Sequence, residues 1–124
     1  MVTTDDDIDV LQASLLRTLA SPTRLRIIHV LGAGSCEVNE VSKALGLAQA
    51  TTSQHLGAMR SVGLVEAMRD GRSVRYRLVA PEILTACLLM RAVLVRRLSR
   101  LGDLAASAST TVDPVSQTGQ AGPP

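Results

Sequence analysis

The chain has 124 residues, thirteen basic and eleven acidic side chains, and Tyr76 as its only aromatic residue. That length suits one domain with a modest core rather than two, and the lack of rings excludes single-strand and sheet-type RNA readers, which stack unpaired bases on aromatic platforms. Asp5, Asp6, Asp7 and Asp9 crowd the first ten residues, whereas residues 11 to 104 hold thirteen basic and six acidic side chains, a balance of +7.

Twelve of those bases are Arg and one is Lys43, a bias that suits bidentate phosphate and guanine contacts but that a GC-rich genome would also produce. Two cysteines, Cys36 and Cys87, are too few for a disulfide framework, and no basic and apolar leader precedes the domain, so a cytoplasmic protein is expected. The longest apolar stretch, residues 83 to 101, is interrupted by Arg91, Arg96, Arg97 and Arg100 and fails as a membrane span.

Residues 1–7 read as a flexible acidic arm. Ile8, Leu11, Leu15 and Leu19 then recur at helical steps, predicting a first helix that ends near Ala20. Ser21-Pro22 starts a second helix over 22–32, with Ser21 as cap, Pro22 at the first position and Leu25, Ile28 and Leu31 inward. A short third helix runs from Glu37 to Leu45, with Val38, Val41 and Leu45 inward. After the tight connection Gly46-Leu47-Ala48, a fourth helix runs from Gln49 to Val62 with Thr52, Leu56 and Met59 on its inner face. Two short helices joined by a Gly-containing turn make a helix-turn-helix.

Leu64–Met68 and Ser73–Val79 read as strands joined at Asp70-Gly71, with Val74, Tyr76 and Leu78 alternating against Arg75 and Arg77. Pro81 opens a long helix to about Leu101 whose apolar residues cover more than half its circumference. Ile83, Cys87, Met90, Leu94 and Leu101 are expected to pack on the domain. Leu84, Leu88, Val95 and Leu98, with Leu11 and Leu15 of the first helix, are expected to pack against a second copy. The run from Ala105 to Pro124 reads as a disordered tail, because small polar residues, Gly and Pro bury too little to offset ordering entropy. The expected architecture is mainly α with a small β-hairpin: a winged helix-turn-helix over 8–104, dimeric through its terminal helices.

Four segments in order carry a more specific signal: Leu19 to Ile27 (LASPTRLRI), Leu47 to Leu56 (LAQATTSQHL), Gly63-Leu64-Val65, and Gly71 to Leu78 (GRSVRYRL). Together they resemble the ArsR/SmtB family of metal- and redox-responsive repressors over residues 8 to 101. The resemblance implies a homodimer on double-stranded DNA. Gln49, Thr51, Ser53 and Gln54 of the fourth helix are the candidates for the major groove, since Gln can bond adenine and Ser or Thr a base or phosphate. His55 reads either as a structural histidine bonded to a carbonyl or as a DNA contact. Arg72 is placed for the flanking minor groove, Arg75 and Arg77 for phosphates, and Lys43 and Arg60 as further clamps. A solvated strand face is the alternative for the arginines.

The effector sites of the family transfer poorly. Its Cys-x-Cys pair on the third helix falls on Glu37 and Asn39, with Cys36 one residue earlier. Its ligands on the last helix fall on Ala80, Glu82, Val93 and Arg96. His29 stands where relatives that sense sulfur oxidants carry a cysteine. What remains is Cys36 with Glu37 and Asp5, Asp6 or Asp7 of the partner subunit, a mixed donor set for a divalent transition metal, nickel, cobalt or zinc, rather than arsenite. The alternatives are that Cys36 is a packing residue and the Asp cluster solvated. Cys87, on an apolar face, reads as packing. No Ser-His-Asp, metal-hydrolase or phosphate-loop spacing appears, so an enzyme is not expected. A repressor without its own metal site, constitutive or dependent on a partner protein, and a winged-helix interaction module are the competing functions.

Overall fold

The computed structural model of the chain describes residues 3–112. Its elements run α1 (Asp5–Leu19), α2 (Pro22–Gly32), β1 (Cys36–Glu37), α3 (Val38–Leu45), α4 (Gln49–Ser61), β2 (Val65–Asp70), β3 (Ser73–Leu78) and α5 (Glu82–Val112).

α1 begins inside the expected flexible arm. Thr4 Oγ1 accepts from the Asp7 amide at 3.2 Å, and Asp7 Oδ2 accepts from the Thr4 amide at 3.2 Å. This reciprocal cap, with three Asp at the positive end of the helix dipole, makes Asp5–Asp7 the first turn of a helix and corrects the boundary. α2 starts as expected, with Ser21 Oγ accepting from the Arg24 amide at 3.3 Å and Pro22 in its first turn. Its buried stripe is Ile27, Ile28 and Leu31, and Leu25, expected inward, is 37% exposed. The reason is angular: at 100° per residue Leu25 lies well round the helix from the centre of that stripe.

Gly46 ends α3 with φ +68°, a left-handed conformation that Gly adopts freely, and the Leu47 amide returns to the Ser42 carbonyl at 2.9 Å. α4 then buries Thr52, Leu56 and Met59, as its spacing predicts. β2 and β3 pair antiparallel from Val65 with Leu78 to Asp70 with Ser73. The hairpin loop is Gly71-Arg72, with Gly71 at φ +66°, so Arg72 sits in the turn rather than after it. A third strand joins the expected hairpin: β1 pairs with β3, Cys36 with Tyr76 and Glu37 with Arg75, giving the order β1-β3-β2.

The chain divides into two units after Cys87. The first has a core of Leu19, Ile27, Ile28, Leu31, Val41, Leu56, Met59, Leu64, Val65 and Cys87, with Tyr76, Leu78, Ile83 and Leu84 packed on it. The second, within the described residues, is the rest of α5. There Leu88, Val95 and Leu98 are exposed, and so are Met90, Leu94 and Leu101, which were expected to pack on the domain. α5 runs to Val112, so residues 105–112 of the expected disordered tail are helical. Residues 113–124 lie outside the described residues. Among the described residues no helix is long and apolar enough to cross a membrane.

Candidate nucleic-acid interface

The helix-turn-helix is held together from inside. Ser42 of α3 donates to Thr52 Oγ1 of α4 at 2.8 Å, and Thr52 donates in turn to the Ala48 carbonyl at 3.1 Å. Thr52 is fully buried, so its rotation about the α4 axis is fixed, and Thr51, Ser53 and Gln54 are thereby exposed together. Gln49 is exposed as well, but its Nε2 donates to Asn39 Oδ1 of α3 at 2.6 Å, a second clip between the two helices. Ala48 precedes α4 without a capping side chain, which leaves the first amides of the helix and the positive end of its dipole without a side-chain acceptor. Lys43 and Arg60 lie exposed in the last turns of α3 and α4.

His55 is structural, though not through a carbonyl. Its Nδ1 accepts from Arg24 Nε at 3.0 Å, and Arg24 Nη1 donates to the Thr18 carbonyl at 2.8 Å, so α2 braces the back of α4. Sequence reasoning missed Arg24 because its partners lie in other elements and leave no periodic trace.

The four arginines of the hairpin divide into two kinds. Arg69 and Arg72, at the tip, are exposed and have no ion pair or hydrogen-bond partner among the described residues. Arg77 donates from Nε to Glu66 Oε1 at 2.6 Å across the β2–β3 ladder. Arg75, expected to point outward to phosphate, instead donates to Ser35 and pairs with Glu40 at 3.3 Å. β1 explains this correction: it covers that side of β3 and brings Ser35 and α3 to the guanidinium.

The expected metal ligands are each engaged. Cys36 Sγ lies 3.6 Å from the Gly34 carbonyl, and its thiol is pushed above the ordinary value first by burial and then by the Glu40 carboxylate, with Arg75 opposing. Glu37 Oε1 is 3.8 Å from Arg75, and Asp7 caps α1. Among the described residues no three His, Cys, Asp or Glu side chains of one chain are gathered to hold a metal. Burial also pushes the Cys87 thiol up, in keeping with its place in the core.

Of the residues expected between two copies, Leu11 is 66% exposed, and Leu15 is half-buried. Both line a groove of about 510 Å³ with Ile8 and Val62. Leu84 differs: it packs on the core of its own chain, where a Cβ at Gly32 would collide with its Cδ2. The bare glycine makes room for it, which a helical wheel of α5 alone does not reveal.

The family model described as bacterial regulatory protein, arsR family, matches residues 21–67. The HTH-type transcriptional regulator Rv0081 of Mycobacterium tuberculosis is 39% identical over 106 residues, 82% of this chain and 93% of that protein. Its crystal structure superposes with a TM-score of 0.68 at 37% identity, covering 75% of this chain and 94% of the other. The solution structure of Mb0332 of Mycobacterium bovis, a homodimeric winged helix-turn-helix DNA-binding domain, gives a TM-score of 0.70 at 29% identity over 78% of this chain and 92% of that one. A biofilm growth-associated repressor of Xylella fastidiosa is 41% identical over 66 residues, 53% of this chain and 58% of that protein. With the fold and the exposed polar face of α4, these matches establish that the chain belongs to the arsR family of bacterial regulatory proteins and is a winged helix-turn-helix, DNA-binding transcriptional regulator.

Proposed function

We propose that the chain is a homodimeric repressor of an operator with inverted half-sites, with α4 in the major groove and the tip of the β2–β3 hairpin along the flanking minor groove. The observation that carries this reading is the exposed row Thr51, Ser53 and Gln54 on α4 together with the uncommitted Arg69 and Arg72 at the hairpin tip. The homodimeric Mb0332 domain and the Xylella repressor support it. Two copies related by a two-fold axis would present their reading helices about 34 Å apart, one turn of duplex, or a multiple of it.

The test is fluorescence anisotropy of the full chain on duplex from its own promoter across a salt series. Affinity is expected to fall steeply with salt. Gln54→Ala is expected to cost about 1–3 kcal/mol per half-site by loss of a base contact, and Arg72→Ala, which removes one contact at each half-site, to make the salt slope shallower by about 1.8. Binding that is insensitive to salt, or indifferent to the inverted repeat, would overturn the reading.

Release by a divalent transition metal, nickel, cobalt or zinc, is the inducing step this reading carries, with Cys36, Glu37 and Asp7 of the partner subunit as its donors. A second reading, repression without a metal site of its own and dependent on a partner protein, is favoured by a specific observation. The Cys36 thiol faces the Gly34 carbonyl, Glu37 faces a guanidinium, and Asp7 accepts an amide, so the donors already have other work. Adding nickel, cobalt, zinc, cadmium, arsenite or an oxidant to the preformed complex distinguishes the two: dissociation by one of the three metals supports the first, and none supports the second.

A further inference from the structure

Arg75 is used on both edges of its guanidinium. On one edge Nε donates to Ser35 Oγ at 3.0 Å and Nη2 to the Ser35 carbonyl at 2.6 Å. On the other, Nη1 lies 3.3 Å from Glu40 Oε1 and 3.8 Å from Glu37 Oε1. The same Glu40 oxygen accepts the Glu37 amide at 2.8 Å, closing the start of α3. One planar cation therefore joins the hairpin, through β3, to the segment before β1 and to the first turn of the helix-turn-helix. α3 in turn is bonded to α4 through Ser42 and Thr52. The path from hairpin to reading helix is continuous.

We propose that Arg75 is a positioning residue for DNA binding: it locks the hairpin against the helix-turn-helix, so that Arg72 and the exposed face of α4 meet a duplex in one fixed arrangement, and it makes no phosphate contact of its own. The inference rests on the DNA-binding reading above. Its chemistry is specific to Arg. A forked, planar group can bond Ser35 at two points while facing two carboxylates, and a lysine ammonium cannot. Its side chain is 29% exposed, so these charge-assisted bonds are partly shielded from water. Fixing the two DNA-binding parts beforehand removes an ordering cost that binding would otherwise carry.

Lysine separates the two roles, because it keeps the charge a phosphate would need and loses the fork. Anisotropy titrations across a salt series, with a thermal melt of each protein, would compare the full-length chain with Arg75→Lys, Arg75→Gln, Glu40→Gln, the Arg75→Gln/Glu40→Gln pair and Arg72→Ala. Arg75→Lys and Arg75→Gln are both expected to bind about tenfold more weakly, as for loss of hydrogen bonds to a charged group, with the salt slope of the unaltered chain. Glu40→Gln is expected to weaken binding in the same way, and the pair no more than Arg75→Gln alone, the mark of two residues in one contact. Arg72→Ala, by contrast, removes one contact at each half-site and should reduce the slope by about 1.8.

Near-normal binding by Arg75→Lys, with a shallower slope for Arg75→Gln, would make Arg75 a phosphate contact and overturn the inference. Unchanged affinity in both Arg75 variants, or additive losses in the pair, would also overturn it. Should the Arg75 variants melt below the assay temperature, Glu40→Gln decides on its own, since Glu40 is exposed: weaker binding at unchanged slope supports the clasp, and unaltered binding refutes it. Failure of the unaltered chain to bind any duplex refutes the DNA-binding reading itself and the inference with it. Binding that ignores Arg75 refutes the inference alone.

Discussion

The hydroxyls of Ser42 and Thr52 meet at 2.8 Å in a buried site between α3 and α4, and their roles there are unequal. Ser42 donates a hydrogen bond to Thr52, which donates its own to the Ala48 carbonyl. Ser42→Ala therefore leaves Thr52 with its donor bond intact and is expected to cost about 1 kcal/mol, the net value of one hydrogen bond. Thr52→Val preserves the shape of the side chain but strands a buried Ser42 donor, and is expected to cost more, up to about 3 kcal/mol. Urea unfolding would read both as a lower midpoint at unchanged slope. An equal or reversed order would show that the site relaxes or admits water. The same pair sets which way α4 faces, so Thr52→Val should weaken DNA binding even where the protein stays folded.

At the scale of elements, the start of α4 differs from those of α1 and α2. α1 and α2 start with Thr4 and Ser21, whose side chains accept amides of the first turn, whereas α4 starts after Ala48 with no such bond. Ala48→Ser is expected to stabilise the fold by about 1 kcal/mol through the missing cap. Ala48→Asp should stabilise comparably yet weaken DNA binding, because it places a negative charge at the helix end expected to approach phosphate. Thermal melts and anisotropy on the same two variants check this, and an Asp variant that binds as well as the Ser variant would remove phosphate from the start of α4. These elements also show where sequence patterns inform and where they fail. Gly46, Gly63 and Gly71 mark their turns plainly, because a positive φ favours a residue without Cβ, and Thr52, Leu56 and Met59 reveal the inner face of α4 by spacing alone. The strand Cys36–Glu37 has no period to detect at two residues, and it is defined by its pairing with Arg75 and Tyr76 far along the chain. Thr4 and Asp7 form a local cap that a run of aspartates disguised as a solvated arm. The acidic and serine partners of Arg75 were invisible for the same reason as β1: they are brought to it by tertiary pairing, which a helical or alternating pattern does not encode.

For the whole molecule, the decisive feature is apolar surface that one chain leaves in water. Leu98 is 67% exposed on α5, with Leu88 and Val95 exposed on the same helix, and Leu11 is exposed on α1. Large apolar residues exposed along one face of a helix mark an interaction site, and a helix hydrophobic over most of its circumference needs a partner on more than one side. If that partner is a second copy, Leu98→Glu places a charge where it would be desolvated only in the dimer, while the isolated chain keeps Leu98 in water and folds without it. Sedimentation is expected to show a monomer for this variant at concentrations where the unaltered chain is a dimer, and its melting temperature should lose its dependence on protein concentration. Affinity for a duplex carrying one half-site should be unchanged, whereas affinity for the inverted repeat should fall toward the half-site value, because the second contact no longer benefits from the effective concentration that linkage supplies. Loss of half-site binding would place Leu98 in the folded core or at the DNA instead. A variant that remains dimeric with full operator affinity would move the interface away from this part of α5, to the apolar face of α1 that Leu11 exposes.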